Sequence, residues 1–158
     1  MLLLSNDDGI QAPGLEALAD ALSPLDALLV VAPATEQSAK SHGLTMLDPL
    51  RCRRHRPGWF SVTGTPADSV YFALNHLCEE PPRAVISGIN RGGNIGNDVH
   101  YSGTVAAARE AKPEREHKAA GWASRWDGGL SGGEWCACVV RIRYFDLVKA
   151  VVYIDSSL

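Results

Sequence analysis

The sequence predicts an α/β fold, a Rossmann-like and mostly parallel sheet with helices on both faces. Three observations predict it. Leu2 to Leu4 and Ala27 to Ala32 are short apolar runs without polar alternation, as in parallel strands buried on both sides. A segment of helical period lies between them, completing a β-α-β unit. The first run ends in Asn6-Asp7-Asp8-Gly9 and the second in Pro33, so polar groups collect at the strand ends, where open α/β sheets bind ligands.

Taken in order, Leu2 to Leu4 is the first strand, and Pro13-Gly14 opens a helix to Leu22 with Leu15, Leu18, Ala19 and Leu22 on one face. Ser23-Pro24 stops it, and 27–32 is the second strand. A polar loop follows from Ala34 to Gly43. Leu44 to Leu47 and Trp59 to Val62 are weaker strand candidates on either side of a basic loop carrying Arg51, Arg53, Arg54 and Arg56, which reads as solvated, with substrate contact as the alternative. Thr65-Pro66-Ala67-Asp68 is a helix start, with Thr as cap, Pro at the first helical position and Asp at the third. Val70, Ala73, Leu74 and Leu77 continue at helical spacing until Pro81-Pro82. Ala84 to Ser87 is a third buried strand, and Ser102-Gly103-Thr104 opens an alanine-rich helix over Val105 to Ala111.

Past Ala111 the pattern changes. Lys112-Pro113 breaks the helix, glycine pairs at 128–129 and 132–133 interrupt the chain, only Cys138 to Ile142 suggests a further strand, and Val148 to Ile154 is one more short apolar segment. The expected organisation is a core over 1–111 and a separate tail over 112–158.

At 158 residues and 46% hydrophobic content the chain suits a globular domain with a real core. A net charge of -3 gives no general attraction to nucleic acid or anionic membrane, so neither is an expected stable partner. The longest apolar stretch, Ala27 to Ala34, is too short to span a bilayer, and the N-terminus lacks the basic region of a secretory signal. Four scattered cysteines suit a reducing cytoplasm; Cys136 and Cys138 form a lone pair without zinc-site spacing.

Four polar clusters end strands or begin helices: Asn6-Asp7-Asp8, Glu36-Gln37-Ser38, Ser87 to Asn90 and Ser102-Gly103-Thr104. The adjacent Asp7 and Asp8 repel unless a cation sits between them; alternatively one caps a helix and the other is solvated. With the Ser38 hydroxyl and the Asn90 amide they make an all-oxygen set suited to Mg²⁺ or Mn²⁺ rather than zinc. Taken alone, Ser38 is a loop hydroxyl or a cap. Ser102-Gly103-Thr104 offers hydroxyls and free N–H groups at a helix start, an anion site. The glycines at 92–96 either bring backbone close to a phosphate or simply form turns. No nucleoside-triphosphatase loop or dinucleotide fingerprint is present. A cation beside an anion-binding helix suggests phosphate-ester hydrolysis.

These residues resemble the SurE family. The resemblance lies in N-D-D-G at Asn6 to Gly9, A-P and E-Q-S-A within Ala32 to Ala39, and T-G-T-P-A-D at Thr63 to Asp68. It continues in S-G-I-N-R-G-G-N-I-G at Ser87 to Gly96 and D-V-H-Y-S-G-T-V-A-A-A-R-E at Asp98 to Glu110. It implies a hydrolase of the bacterial and archaeal cytoplasm, a metal-dependent 5′-nucleotidase that often accepts 3′-nucleotides too. By that resemblance the metal ligands are Asp7, Asp8, Ser38 and Asn90, with the two aspartates catalytic, and the phosphate contacts are Asn94, Ser102, Gly103 and Thr104. His100 falls at a variable position and receives no role.

The resemblance stops at Ala111. Family members continue with a further strand and a C-terminal half whose arm joins dimers or tetramers. Nothing after Lys112-Pro113 resembles it, so the chain reads as truncated on that side and the family's assembly does not carry to it. A shifted reading frame or a misplaced gene end accounts for so abrupt a loss; a diverged tail is the alternative. Two functional expectations follow: a phosphomonoesterase acting on nucleoside monophosphates, or a catalytically inactive fragment that at most binds metal or nucleotide.

Overall fold

Leucine side chains on both sides of the first strand set the architecture. The computed structural model describes residues 1–38, 42–91, 97–111, 120–126 and 135–141. Strand β1 (Leu2–Ser5) pairs in parallel with β2 (Leu28–Pro33) on one side and with β5 (Ala84–Arg91) on the other. β2 in turn pairs in parallel with β4 (Trp59–Val62). Side chains alternate across a strand, so Leu3, Leu29, Val31, Val62 and Val85 share one face with Val70, Val105, Ala107 and Ala108. Leu2, Leu4, Val30, Ala32 and Ile86 share the other with Leu15, Leu18, Ala19 and Leu22. The expected α/β class, with a largely parallel core and helices on both faces, is what the chain adopts.

The helices start where the sequence places their signals. Helix α1 (Pro13–Leu22) has Pro at its first position, and α2 (Pro66–Phe72) starts from the Thr65 cap. A π-helical turn, Ala73–Leu77, continues α2, closed by the Cys78 N–H on the Ala73 carbonyl at 2.9 Å. A short α3 (Asp98–Tyr101) precedes α4 (Gly103–Glu110), capped by Ser102.

Asp68 holds more than its own helix. Buried at 2% exposure, it accepts from the Thr65 N–H at 2.8 Å, and from the Thr45 hydroxyl at 2.6 Å and N–H at 3.0 Å. It thereby pins the loop at Thr45 to the start of α2. Asp68→Ala should cost about 2 kcal/mol, since it removes a cap and orphans buried donors. A urea denaturation midpoint measures it, and an unchanged midpoint would count against the pinning role.

Three antiparallel strands, β3 (Cys52–Arg56), β6 (Ala120–Trp126) and β7 (Trp135–Arg141), complete the described sheet, in the order β3-β4-β2-β1-β5-β7-β6. Two strand expectations need correction. Leu44 to Leu47 forms no strand: Leu44, Met46 and Leu47 are exposed, Leu47 by 97%. The supposed basic loop is instead β3 (Cys52–Arg56), antiparallel to β4 across a two-residue Pro57-Gly58 turn. Gly58 takes φ +74°, which suits glycine. Every residue of β3 is exposed, and charged side chains on an edge strand discourage pairing with another chain.

Beyond α4, β6 (Ala120–Trp126) pairs with β7 (Trp135–Arg141), and β7 lies antiparallel to β5. Within this stretch the sequence suggests a strand only from Cys138; it begins at Trp135. β6 is not anticipated, because its small and polar residues make no apolar run. The short apolar segment over 148–154 lies outside the described residues.

Candidate active site

In the sheet, β1 sits between β2 and β5, whose connections leave on opposite sides, so the crevice at its C-terminal end is where ligands enter this type of fold. Asn6, fully buried, shapes the chain there. Its amide donates to the Gly9 carbonyl at 3.1 Å and its carbonyl oxygen accepts the Gly9 N–H at 3.2 Å. That closed turn presents Asp7 and Asp8. Gly9 has φ +98°, and a Cβ there would meet the Thr35 carbonyl carbon at 3.2 Å, so glycine lets the loops after β1 and β2 approach. The Gln37 N–H donates to the Asp7 carbonyl at 2.7 Å, and the Ile10 N–H to the Pro33 carbonyl at 2.9 Å. The loop bearing Ser38 is thus tied to the acidic turn by backbone.

The two aspartates have different surroundings. Asp7 is 4% exposed, and its Oδ1 accepts the Thr104 hydroxyl at 2.5 Å. A Cβ on Gly103 would lie 2.6 Å from the Asp7 Cβ, so the first turn of α4 rests directly on Asp7. Ser102 caps that turn, its Oγ accepting the Val105 N–H at 3.2 Å. Asp8 is only partly buried. Partial burial, then the neighbouring charges of Asp7 and Glu36, push its carboxyl up from 3.8 to about 6. Among the described residues no lysine or arginine pairs with either aspartate.

The remaining expected residues are placed as follows. Ser38 is exposed and donates to Glu36 Oε1 at 2.8 Å. Asn90 is partly buried near the end of β5, beyond an irregularity in the β5–β7 register between Ser87 and Asn90. Asn94 lies outside the described residues. Glu36 is the participant that sequence reasoning left without a role: it bonds Ser38 and adds charge beside Asp8. Its place in the same polar loop as Ser38 was the available signal. His42, farther along that loop, pairs with Glu110 of α4 at 2.7 Å, a second tie between the loop and this helix.

The donors suit a hard cation. Among the described residues no group of three or more His, Cys, Asp and Glu side chains is placed to hold a metal. Carboxylate, hydroxyl and amide oxygens are the donors that Asp7, Asp8, Ser38 and Asn90 offer, a set that suits Mg²⁺ or Mn²⁺ rather than zinc.

The family model described as "Survival protein SurE" matches residues 2–120. The chain is 58% identical over 110 residues to the 5'-nucleotidase SurE of Rhodospirillum rubrum, a match covering 69% of this chain and 42% of that protein. Against the 5'-nucleotidase SurE of Anaeromyxobacter sp. (strain Fw109-5) it is 57% identical over 110 residues, 69% of this chain and 43% of the relative. Among solved structures, the SurE protein from Aquifex aeolicus superimposes with a TM-score of 0.67 at 45% identity, covering 70% of this chain and 45% of that one. The chain thus spans less than half the length of each of these relatives.

Proposed function

The chain belongs to the survival protein SurE family, and from that premise we propose that it is a metal-dependent phosphomonoesterase converting nucleoside 5′-monophosphates, and 3′-monophosphates, to nucleoside and phosphate. The observation that supports this reading best is the seating of α4 on Asp7: an acidic turn and an anion-binding helix start share one contact.

Asp7, Asp8, Ser38 and Asn90 would hold the cation. Their oxygens fit it, and a positive charge offsets what raises Asp8, its partial burial first and then the neighbouring charges of Asp7 and Glu36. When bound, Mg²⁺ or Mn²⁺ supplies charge neutralisation for the phosphate and a more acidic water. The chain's own groups do the rest. Ser102, the N–H groups of Gly103 and Thr104, and Asn94 orient the phosphoryl oxygens and stabilise their charge. Asp8 is the better placed carboxylate to take the proton from the attacking water, because Asp7 is already engaged by Thr104. Water oxygen bonds to phosphorus as Asp8 takes its proton, the bond from phosphorus to the nucleoside oxygen breaks, that oxygen takes a proton from solvent, and Asp8 returns its own to solvent. The free thiols of Cys52 and Cys78 suit a reducing compartment, and we place the activity in the cytoplasm; among the described residues no helix is long and apolar enough to cross a membrane.

Phosphate release from AMP and GMP, with Mn²⁺ and with chelator, beside a thermal melt, tests the proposal. Metal-dependent release from a cooperatively melting protein supports it. A cooperative melt without turnover would favour a chain that only binds metal or nucleotide.

The raised carboxyl of Asp8 gives a pH prediction. Its neutral form is favoured in the folded state, so the metal-free protein loses that stabilisation as pH rises from about 4 through about 6. A cation favours the ionised form. The Mn²⁺-induced rise in Tm should therefore be larger at pH ~7.5 than at pH ~5. Paired melts at the two pH values measure it, and an equal shift would count against Asp8 as a ligand.

A further inference from the structure

We propose that Tyr101 is the stacking platform for the nucleobase, an inference that rests on the nucleotidase reading and adds to it the means of recognising the base. Helix α3 ends at Tyr101, and the next residue is Ser102, the cap of α4. From Ser102 to Ala108 every residue is buried, yet Tyr101 is 65% exposed. Its ring therefore leaves the protein at the step before the phosphate-binding turn, its Cα about 3.8 Å from that of Ser102.

The inner side of that turn is closed. Gly103 lies against Asp7, and Thr104 is bonded to it. On this reading a phosphate held by the first N–H groups of α4 points the rest of its nucleotide outward, to the surface on which Tyr101 is exposed. Of the Phe, Trp and Tyr side chains in 1–111, the other exposed one, Tyr71, is 48% exposed but sits late in α2, which runs away from the C-terminal edge after starting there at Pro66.

An open tyrosine face recognises a base by its π surface and not by its hydrogen-bonding edge. The expected specificity is tolerant of base identity, with purines above pyrimidines and both above a phosphate ester lacking a base.

The test compares AMP with ribose 5-phosphate on the whole chain in Mn²⁺, together with calorimetric binding of both compounds in the presence of chelator. Tyr101→Ala should raise KM for AMP about tenfold and weaken AMP binding equally, while changing the KM for ribose 5-phosphate by less than about twofold. Tyr101→Phe, which keeps the ring, should match wild type. Equal losses on both compounds, or wild-type affinities that do not distinguish them, would overturn the stacking role while leaving the phosphatase intact. AMP binding that depends on Tyr101 without phosphate release from either compound would support the platform and overturn the nucleotidase reading.

Discussion

Asp8→Asn should abolish Mn²⁺-dependent release of phosphate from AMP and GMP, a loss of about a thousandfold or more. The substitution keeps the side chain's size and removes its charge. In the proposed mechanism two functions go with that charge: an anionic oxygen for the cation, and a proton acceptor for water. The stability of the variant should move the other way. In the metal-free protein the ionised Asp8 is disfavoured by partial burial and by Asp7 and Glu36, so a neutral amide relieves repulsion near neutral pH. The expected result is a dead enzyme whose metal-free Tm is equal to or above that of wild type, and whose Tm no longer rises with Mn²⁺. Unfolding cannot produce that combination. Wild-type turnover in Asp8→Asn would remove the metal mechanism.

Local signals explain why so much of the fold is legible in the sequence. Pro13 marks a helix beginning through its fixed φ, and Thr65 and Ser102 do so by accepting backbone N–H groups three residues on; each marks a helix in the structure. The unbroken apolar runs of β1 and β2 read as buried strands because they are buried on both faces. β3 is illegible for the converse reason. An edge strand with all five residues exposed has no hydrophobic period to display, and its conformation comes from pairing with β4. Leu44 to Leu47 misleads by the same logic, since its apolar side chains face solvent.

The site divides similarly. Its acidic turn and its helix start are each visible as short polar clusters. What joins them is a hydrogen bond between residues 97 positions apart, Thr104 to Asp7. No local pattern could show which of two adjacent aspartates the helix would engage. That distinction matters chemically, because it leaves Asp8 as the carboxylate free to exchange a proton.

Gly103→Ala probes the same contact from the other side and should damage both fold and site. Propensity alone favours alanine in a helix, by up to about 1 kcal/mol, though less at a first position than in the interior. Space opposes it. The new methyl would lie 2.6 Å from the Asp7 Cβ and 2.9 Å from Oδ2. Asp7 has little room to retreat: it is 4% exposed, its carbonyl accepts the Gln37 N–H at 2.7 Å and its carboxylate accepts Thr104. Either α4 lifts away or Asp7 rotates and gives up Thr104. Overpacking of this kind costs about 1–3 kcal/mol, which exceeds the propensity gain. A displacement of roughly 1 Å between acidic turn and helix start is enough for about a hundredfold loss of kcat. A thermal melt and a phosphate-release assay on the same preparation measure the two effects together. Wild-type values for both would mean that α4 does not rest on Asp7, and the union of cation site and phosphate site would lose its structural basis.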